Sequence, residues 1–146
     1  MSTRCYVIYA EKDGTYTYSY IHNDGYVRPN GVGARILEEC YSTNPNYAEE
    51  YNDRNARELV AIGDRSTFDD DKPYDDQKEV VHKAKKLDKI LKGGWDIGYF
   101  YLFKDGEWSV ACSATDYVFV RLTAFYVATL ASMYKVNLDD IKGWKI

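Results

Sequence analysis

The residues best suited to chemistry lie between positions 22 and 33. The chain holds two histidines, and one of them, His22, stands two places before Asp24 at the end of a strand-like run. A carboxylate near an imidazole orients the ring and tunes its proton affinity, the smallest unit of general acid/base chemistry. A nucleophile would have to come from elsewhere, and the only Cys/His pairing the expected hairpin suggests sets Cys5 across from His22. Local sequence positions no nucleophile, so His22 and Asp24 read first as a polar strand end, and no catalytic residue is assigned. Glycines follow. Asp24-Gly25-Tyr26 and Asn30-Gly31-Val32-Gly33 lead into a helical pattern, and the N–H groups of a helix start can hold a phosphate or other anion. The dinucleotide fingerprint is incomplete, because Ile36 stands where its third glycine belongs, and the lysine and hydroxyl that end a P-loop are missing. His22, Asp24, Tyr26, Gly31 and Gly33 are therefore candidates for ligand or partner binding, against a plain structural turn as the competing reading.

Other chemistries find less material. No His, Cys, Asp and Glu residues recur at metal-ligand spacing, so no metal or other cofactor is expected. Cys5, Cys40 and Cys112 are odd in number, widely spaced and set in apolar segments, which predicts buried reduced thiols. The segment from Asp64 to Asp76 carries six aspartates and reads as an exposed acidic loop. It lacks the alternating ligands of an EF-hand, which leaves a solvated loop, a surface for a cation or basic protein, or an acidic mimic of nucleic acid. A net charge of −4 argues against general affinity for a nucleic-acid backbone.

Tyrosine is in excess, with 15 in 146 residues. Its ring is large and stiff with a polar tip, so it favours both strand surfaces and binding surfaces. Tyr16, Tyr18 and Tyr20 alternate along one run and join the candidate binding residues.

The elements that must position these residues follow from periodicity and turn chemistry. Cys5 to Ala10 and Thr15 to His22 read as strands around Lys12-Asp13-Gly14, and Asp-Gly is the strongest short hairpin signal. A two-residue Asp13-Gly14 turn would set Tyr9 against Tyr18 and Val7 against Tyr20, placing Val7, Tyr9, Tyr16, Tyr18 and Tyr20 on one side. A helix is expected from Val32 to Tyr41, broken by Asn44-Pro45-Asn46. A second is marked by capping-box spacing at Asn55 and Glu58, starts as early as Tyr47, and stops at Gly63. Gln77 to Lys92 has the stripe of an amphipathic helix, with Lys83, Lys85, Lys86, Lys89 and Lys92 around it, ending at Gly93-Gly94. Ile97 to Cys112 forms a second hairpin around Asp105-Gly106, with Phe103 opposite Trp108 and Tyr101 opposite Val110. A short strand, Tyr117 to Val120, and a helix from Leu122 to near Asn137 complete the chain. The expected fold is one α+β domain over residues 1–146, an antiparallel sheet of two hairpins with three to four helices mainly on one face.

Met1-Ser2-Thr3-Arg4, the Asp-Gly hairpin, His22-Asn23-Asp24-Gly25-Tyr26 with Gly31-Val32-Gly33, and Leu59-Val60-Ala61-Ile62-Gly63-Asp64 occur in this order. In these motifs the chain resembles a family of small, largely uncharacterised bacteriophage and prophage proteins. Members of that family pair an N-terminal strand with a His/Trp-Asp-Gly-Tyr-Pro turn and a Gly-Val-Gly helix entry. The resemblance runs to about position 65, and Asp105-Gly106-Glu107-Trp108 looks like the family's later hairpin. Val27 stands where the family tends to have proline, and Arg28-Pro29-Asn30 is inserted before the glycines. The resemblance carries no catalytic residues. It implies an accessory protein acting in an infected bacterial cytoplasm. Together with the lack of a convincing catalytic set and the excess of tyrosine, it leads to the expectation of a non-enzymatic protein that binds a host protein, for takeover or against defence. A nucleotide or small-anion binder using Gly31 to Gly33 and an acidic nucleic-acid mimic are the alternatives. A tyrosine-rich face also permits a homodimer. The N-terminal run shows no export signal and no stretch has the length of a membrane span, so the expectation is cytoplasmic, without membrane contact.

Overall fold

The computed structural model describes residues 3–63 and 81–134. Its order is β1 (Cys5–Ala10), β2 (Tyr16–Ile21), α1 (Val32–Glu39), α2 (Ala48–Ile62), β3 (Val81–Ala84), α3 (Leu87–Gly93), β4 (Tyr99–Lys104), β5 (Glu107–Cys112), β6 (Val120–Arg121) and α4 (Leu122–Met133). The expected acidic loop at Asp64 to Asp76 lies outside the described residues.

The strands form one sheet in the order β3-β2-β1-β4-β5-β6. Both hairpins share it, as expected, and the fold is of the α+β class. They meet through β1 and β4, which pair in parallel from Cys5↔Tyr99 to Tyr9↔Phe103, so the sheet is mixed. Every other pairing is antiparallel.

The second hairpin has the expected register, Phe103↔Trp108 and Tyr101↔Val110. Asp105 and Gly106 both take positive φ, 52° and 78°, as a two-residue type I′ turn requires. The first hairpin departs from expectation by one residue. Tyr9 faces Thr17, Val7 faces Ser19, and Ile8 faces Tyr18. The connection is longer than two residues: Glu11 N–H donates to Thr15 O at 2.8 Å, and the Asp13 carboxylate accepts from the Thr15 N–H and hydroxyl at 2.9 and 2.6 Å. Because side chains alternate with period two, this single slip moves Tyr16, Tyr18 and Tyr20 to the face opposite Val7 and Tyr9. It also sets Cys5 against Ile21 rather than His22.

Two cores result. Val7, Tyr9, Tyr101, Phe103, Trp108 and Val110 pack beneath α1, α2 and α4, meeting Ile36, Leu59, Val60 and Leu122. On the other face Ile8, Phe100, Leu102 and Ala111 meet Ile90 of α3, the only helix there among the described residues, with Tyr6, Tyr16, Tyr18 and Tyr20 at the margin. Cys5, Cys40 and Cys112 are all buried.

Four further expectations are corrected. The capping box at Asn55 does not form: helix α2 is capped at Tyr47, the earliest start expected, and Asn55, already inside the helix, donates to Glu39 O at the end of α1, at 2.9 Å. The stripe at Gln77 to Lys92 is not one helix: Val81 to Ala84 extends along the free edge of β2, and helix begins only at Leu87. Edge pairing overrides the helical period there. Asp116 and Tyr117 take positive φ, 54° and 59°, which turns the chain where a strand is expected and leaves β6 only two residues. Helix α4 ends at Met133, short of Asn137.

Candidate binding surfaces

The segment from His22 to Gly33 folds into a helix entry closed by its own carbonyls. Val32 N–H donates to Asp24 O at 2.8 Å, and Gly33 N–H donates to Tyr26 O at 3.3 Å. The Asp24 carboxylate accepts from the Tyr26 hydroxyl at 3.0 Å, and Arg28 lies 4.1 Å from the centre of the Tyr26 ring. Tyr20 Oη stands 2.6 Å from His22 Nδ1. Close approach explains the two glycines: a Cβ on Gly31 would stand 2.3 Å from Tyr26 O, and one on Gly33 would stand 2.9 Å from Val27 Cα. Beside this entry lies a cavity of about 230 Å³ whose wall includes Asp24, Asn30, Arg35 and Glu38. Thus Asp24, Tyr26, Gly31 and Gly33 are gathered in one loop, with His22 at its root against Tyr20.

Tyr16, Tyr18 and Tyr20 stand apart from that loop on the second face of the sheet. Tyr6 joins them, its ring 5.1 Å from Tyr18, 6.3 Å from Tyr20 and 5.9 Å from Phe100. Tyr18 reaches His82 across to β3 at 5.5 Å. All four tyrosines are half-buried. Burial, with the neighbouring phenols and Asp96, raises the Tyr6 pKa. This aromatic strip continues to solvent. Trp95, between α3 and β4, is 90% exposed, and Tyr117, 6.4 Å from Phe100, is 50% exposed. Sequence reading missed both, because Gly93-Gly94-Trp95 signals only a helix stop and Tyr117 sits in a run that reads as strand.

A third constellation lies on the first face. Tyr9 donates its hydroxyl to Asp53 of α2, while Arg57 covers the Tyr9 ring at 4.2 Å and pairs with Asp53 and Glu11 at 3.3 and 3.6 Å. Burial first, then the bond to Asp53, pushes the Tyr9 pKa up to about 12. These groups satisfy one another and clamp α2 to β1. They form one wall of an open cleft of about 1010 Å³ that also meets Glu49, Lys104 and Asp105. The only sequence signal for the clamp is the Asp53/Arg57 spacing of one helical turn.

Among the described residues no group of three or more His, Cys, Asp or Glu side chains could hold a metal ion. No helix among them is long and apolar enough to cross a membrane. Comparison with protein-family models, with curated proteins and with solved structures finds no match to the chain.

Proposed function

We propose that the chain is a non-enzymatic, phage-type accessory protein that works by binding a host protein in the bacterial cytoplasm. The observation that carries this reading is the second sheet face, where four half-buried tyrosines lie with Phe100 under only one short helix among the described residues, and the turn packed on Phe100 carries the exposed Trp95. Aromatic side chains left at solvent cost free energy and are concentrated where proteins meet. The motif resemblance of the N-terminal half supports the phage context.

The alternative, a nucleotide or small anion at Gly31 to Gly33, draws less support. The Val32 and Gly33 N–H groups that a phosphate would need are already donated to Asp24 O and Tyr26 O. The test uses the full chain as bait in nuclease-treated bacterial extract, with captured protein identified and the complex rebuilt from purified parts. Small molecules released by heat are analysed in parallel. A rebuilt protein complex supports the reading. A nucleotide released from the bait, with no protein retained, overturns it.

A further inference from the structure

One turn at the edge of the aromatic strip is held firmly without being covered. Gly94 is buried, and a Cβ on it would stand 3.0 Å from atoms of Ile97 and Phe100. Ile97 N–H donates to Gly94 O at 2.9 Å, closing a turn with Trp95 and Asp96 at its centre. Asp96 is tied to Arg4 at 3.0 Å, and Arg4 O accepts the Gly98 N–H at 2.9 Å. The side chain at the tip of this fixed frame, Trp95, is 90% exposed. Its indole does little for the fold, yet its backbone needs no ordering when something binds. Preorganisation of that kind lowers the cost of association, and tryptophan is enriched among the residues that dominate interfaces.

The neighbours say what kind of surface fits. Helix α3 turns Leu87, Ile90 and Leu91 to the second core and leaves Lys89 and Lys92 exposed, with Lys85 and Lys86 exposed just before it. Asp88 is the only acid in that stretch, although the whole chain carries −4. On the far side of Phe100 stand Tyr117 and Val118, the latter 61% exposed. A nucleic-acid backbone is disfavoured by the net charge of −4. A protein with an acidic surface meets both the apolar tip and the lysines.

We infer that Trp95 is the anchor of a protein interface, entering an apolar recess of the partner whose rim bears carboxylates that pair with Lys89 and Lys92. This rests on the reading of the chain as a protein-binding factor. The test compares the full-length wild type with Trp95→Ala and with the double variant Lys89→Glu, Lys92→Glu. Each is shown to be folded by thermal melting and used as bait in nuclease-treated bacterial extract. The captured protein is then purified and titrated at low and high salt. Each variant should bind it about tenfold more weakly or worse, salt should weaken the wild type, and wild-type tryptophan emission should shift to the blue on binding. A purified partner that binds wild type and Trp95→Ala equally overturns the anchor and leaves the proposed function standing. Dependence on Trp95 without dependence on the lysines overturns the acidic chemistry. Capture of nucleic acid in untreated extract through Trp95, or a wild-type dimer that Trp95→Ala makes monomeric, assigns the surface to another occupant and overturns the inference. No protein captured by wild type overturns both readings.

Discussion

The buried Tyr101 hydroxyl donates to the carbonyl oxygen of Gly25 at 2.6 Å, across 76 positions of sequence. This bond fastens the loop that precedes α1 to the middle of the sheet. Tyr101→Phe removes the donor and leaves a carbonyl without its partner, so it should lower stability by about 1–3 kcal/mol. Urea denaturation checks this, with the exposed Tyr117→Phe as a control expected to change by less than about 0.5 kcal/mol.

Gly33 lies against the same phenol: an added Cβ would stand 3.2 Å from the Tyr101 hydroxyl and 2.9 Å from Val27 Cα. Gly33→Ala should cost about 1–3 kcal/mol through overpacking. The loss in thermal melting should be the same with and without each of a panel of nucleotides. A nucleotide that stabilises wild type and not the variant would instead favour the anion-binding alternative.

The fold holds Tyr9 as a neutral phenol. Its pKa is raised from 10.0 to about 12, by burial first and by Asp53 second. A raised phenol contributes stability that is fully present below about pH 10 and is lost as pH rises through about 12. Difference titration of tyrosinate absorbance between wild type and Tyr9→Phe should place its midpoint near the upper value. In Asp53→Asn the midpoint should fall while staying above 10, since burial is the larger cause.

The tryptophans Trp95 and Trp108 should part sharply. Trp108 is 2% exposed and packs 5.3 Å from Phe103, so Trp108→Ala should cost about 3–5 kcal/mol. Trp95→Ala should alter unfolding by less than about 0.5 kcal/mol. Replacing Trp95 with phenylalanine should remove a component of emission readily quenched by acrylamide, which reports its exposure.

These expectations rest on features of unequal visibility in the amino-acid order. Asp105-Gly106 forms a two-residue turn, which fixes register by itself, and Phe103 opposite Trp108 follows directly. Asp13-Gly14 reads the same way, but Glu11 and Thr15 close a longer connection, and the extra residue sends three tyrosines to the other face. Helix α1 and the stop at Gly63 were legible because their apolar spacing and terminal glycine agree with their packing. Strand β3 was not, since the stripe Val80, Ala84, Leu87 and Leu91 suits a helix and only the open edge of β2 recruits Val81 to Ala84 into the sheet. Of the candidate residues, the loop from Asp24 to Gly33 was visible through its glycines. The clamp of Tyr9 was hidden, because only tertiary packing brings Tyr9 and Glu11 to Asp53 and Arg57, whose spacing of one helical turn was its sole sequence signal.

The parallel pairing of β1 with β4 also sets an order of assembly. Strand β1 is central, flanked by β2 and β4, yet Cys5 meets Tyr99 only after the chain has passed position 99. During synthesis the first hairpin can close early, while the other edge of β1, carrying Val7, Ile8 and Tyr9, waits unpaired for its partner. Such a long-range closure slows folding, and an apolar strand with an open edge is the template on which nascent chains associate. The half-finished sheet is therefore the species most open to association, and the release of residues 99–104 is the event that ends its exposure.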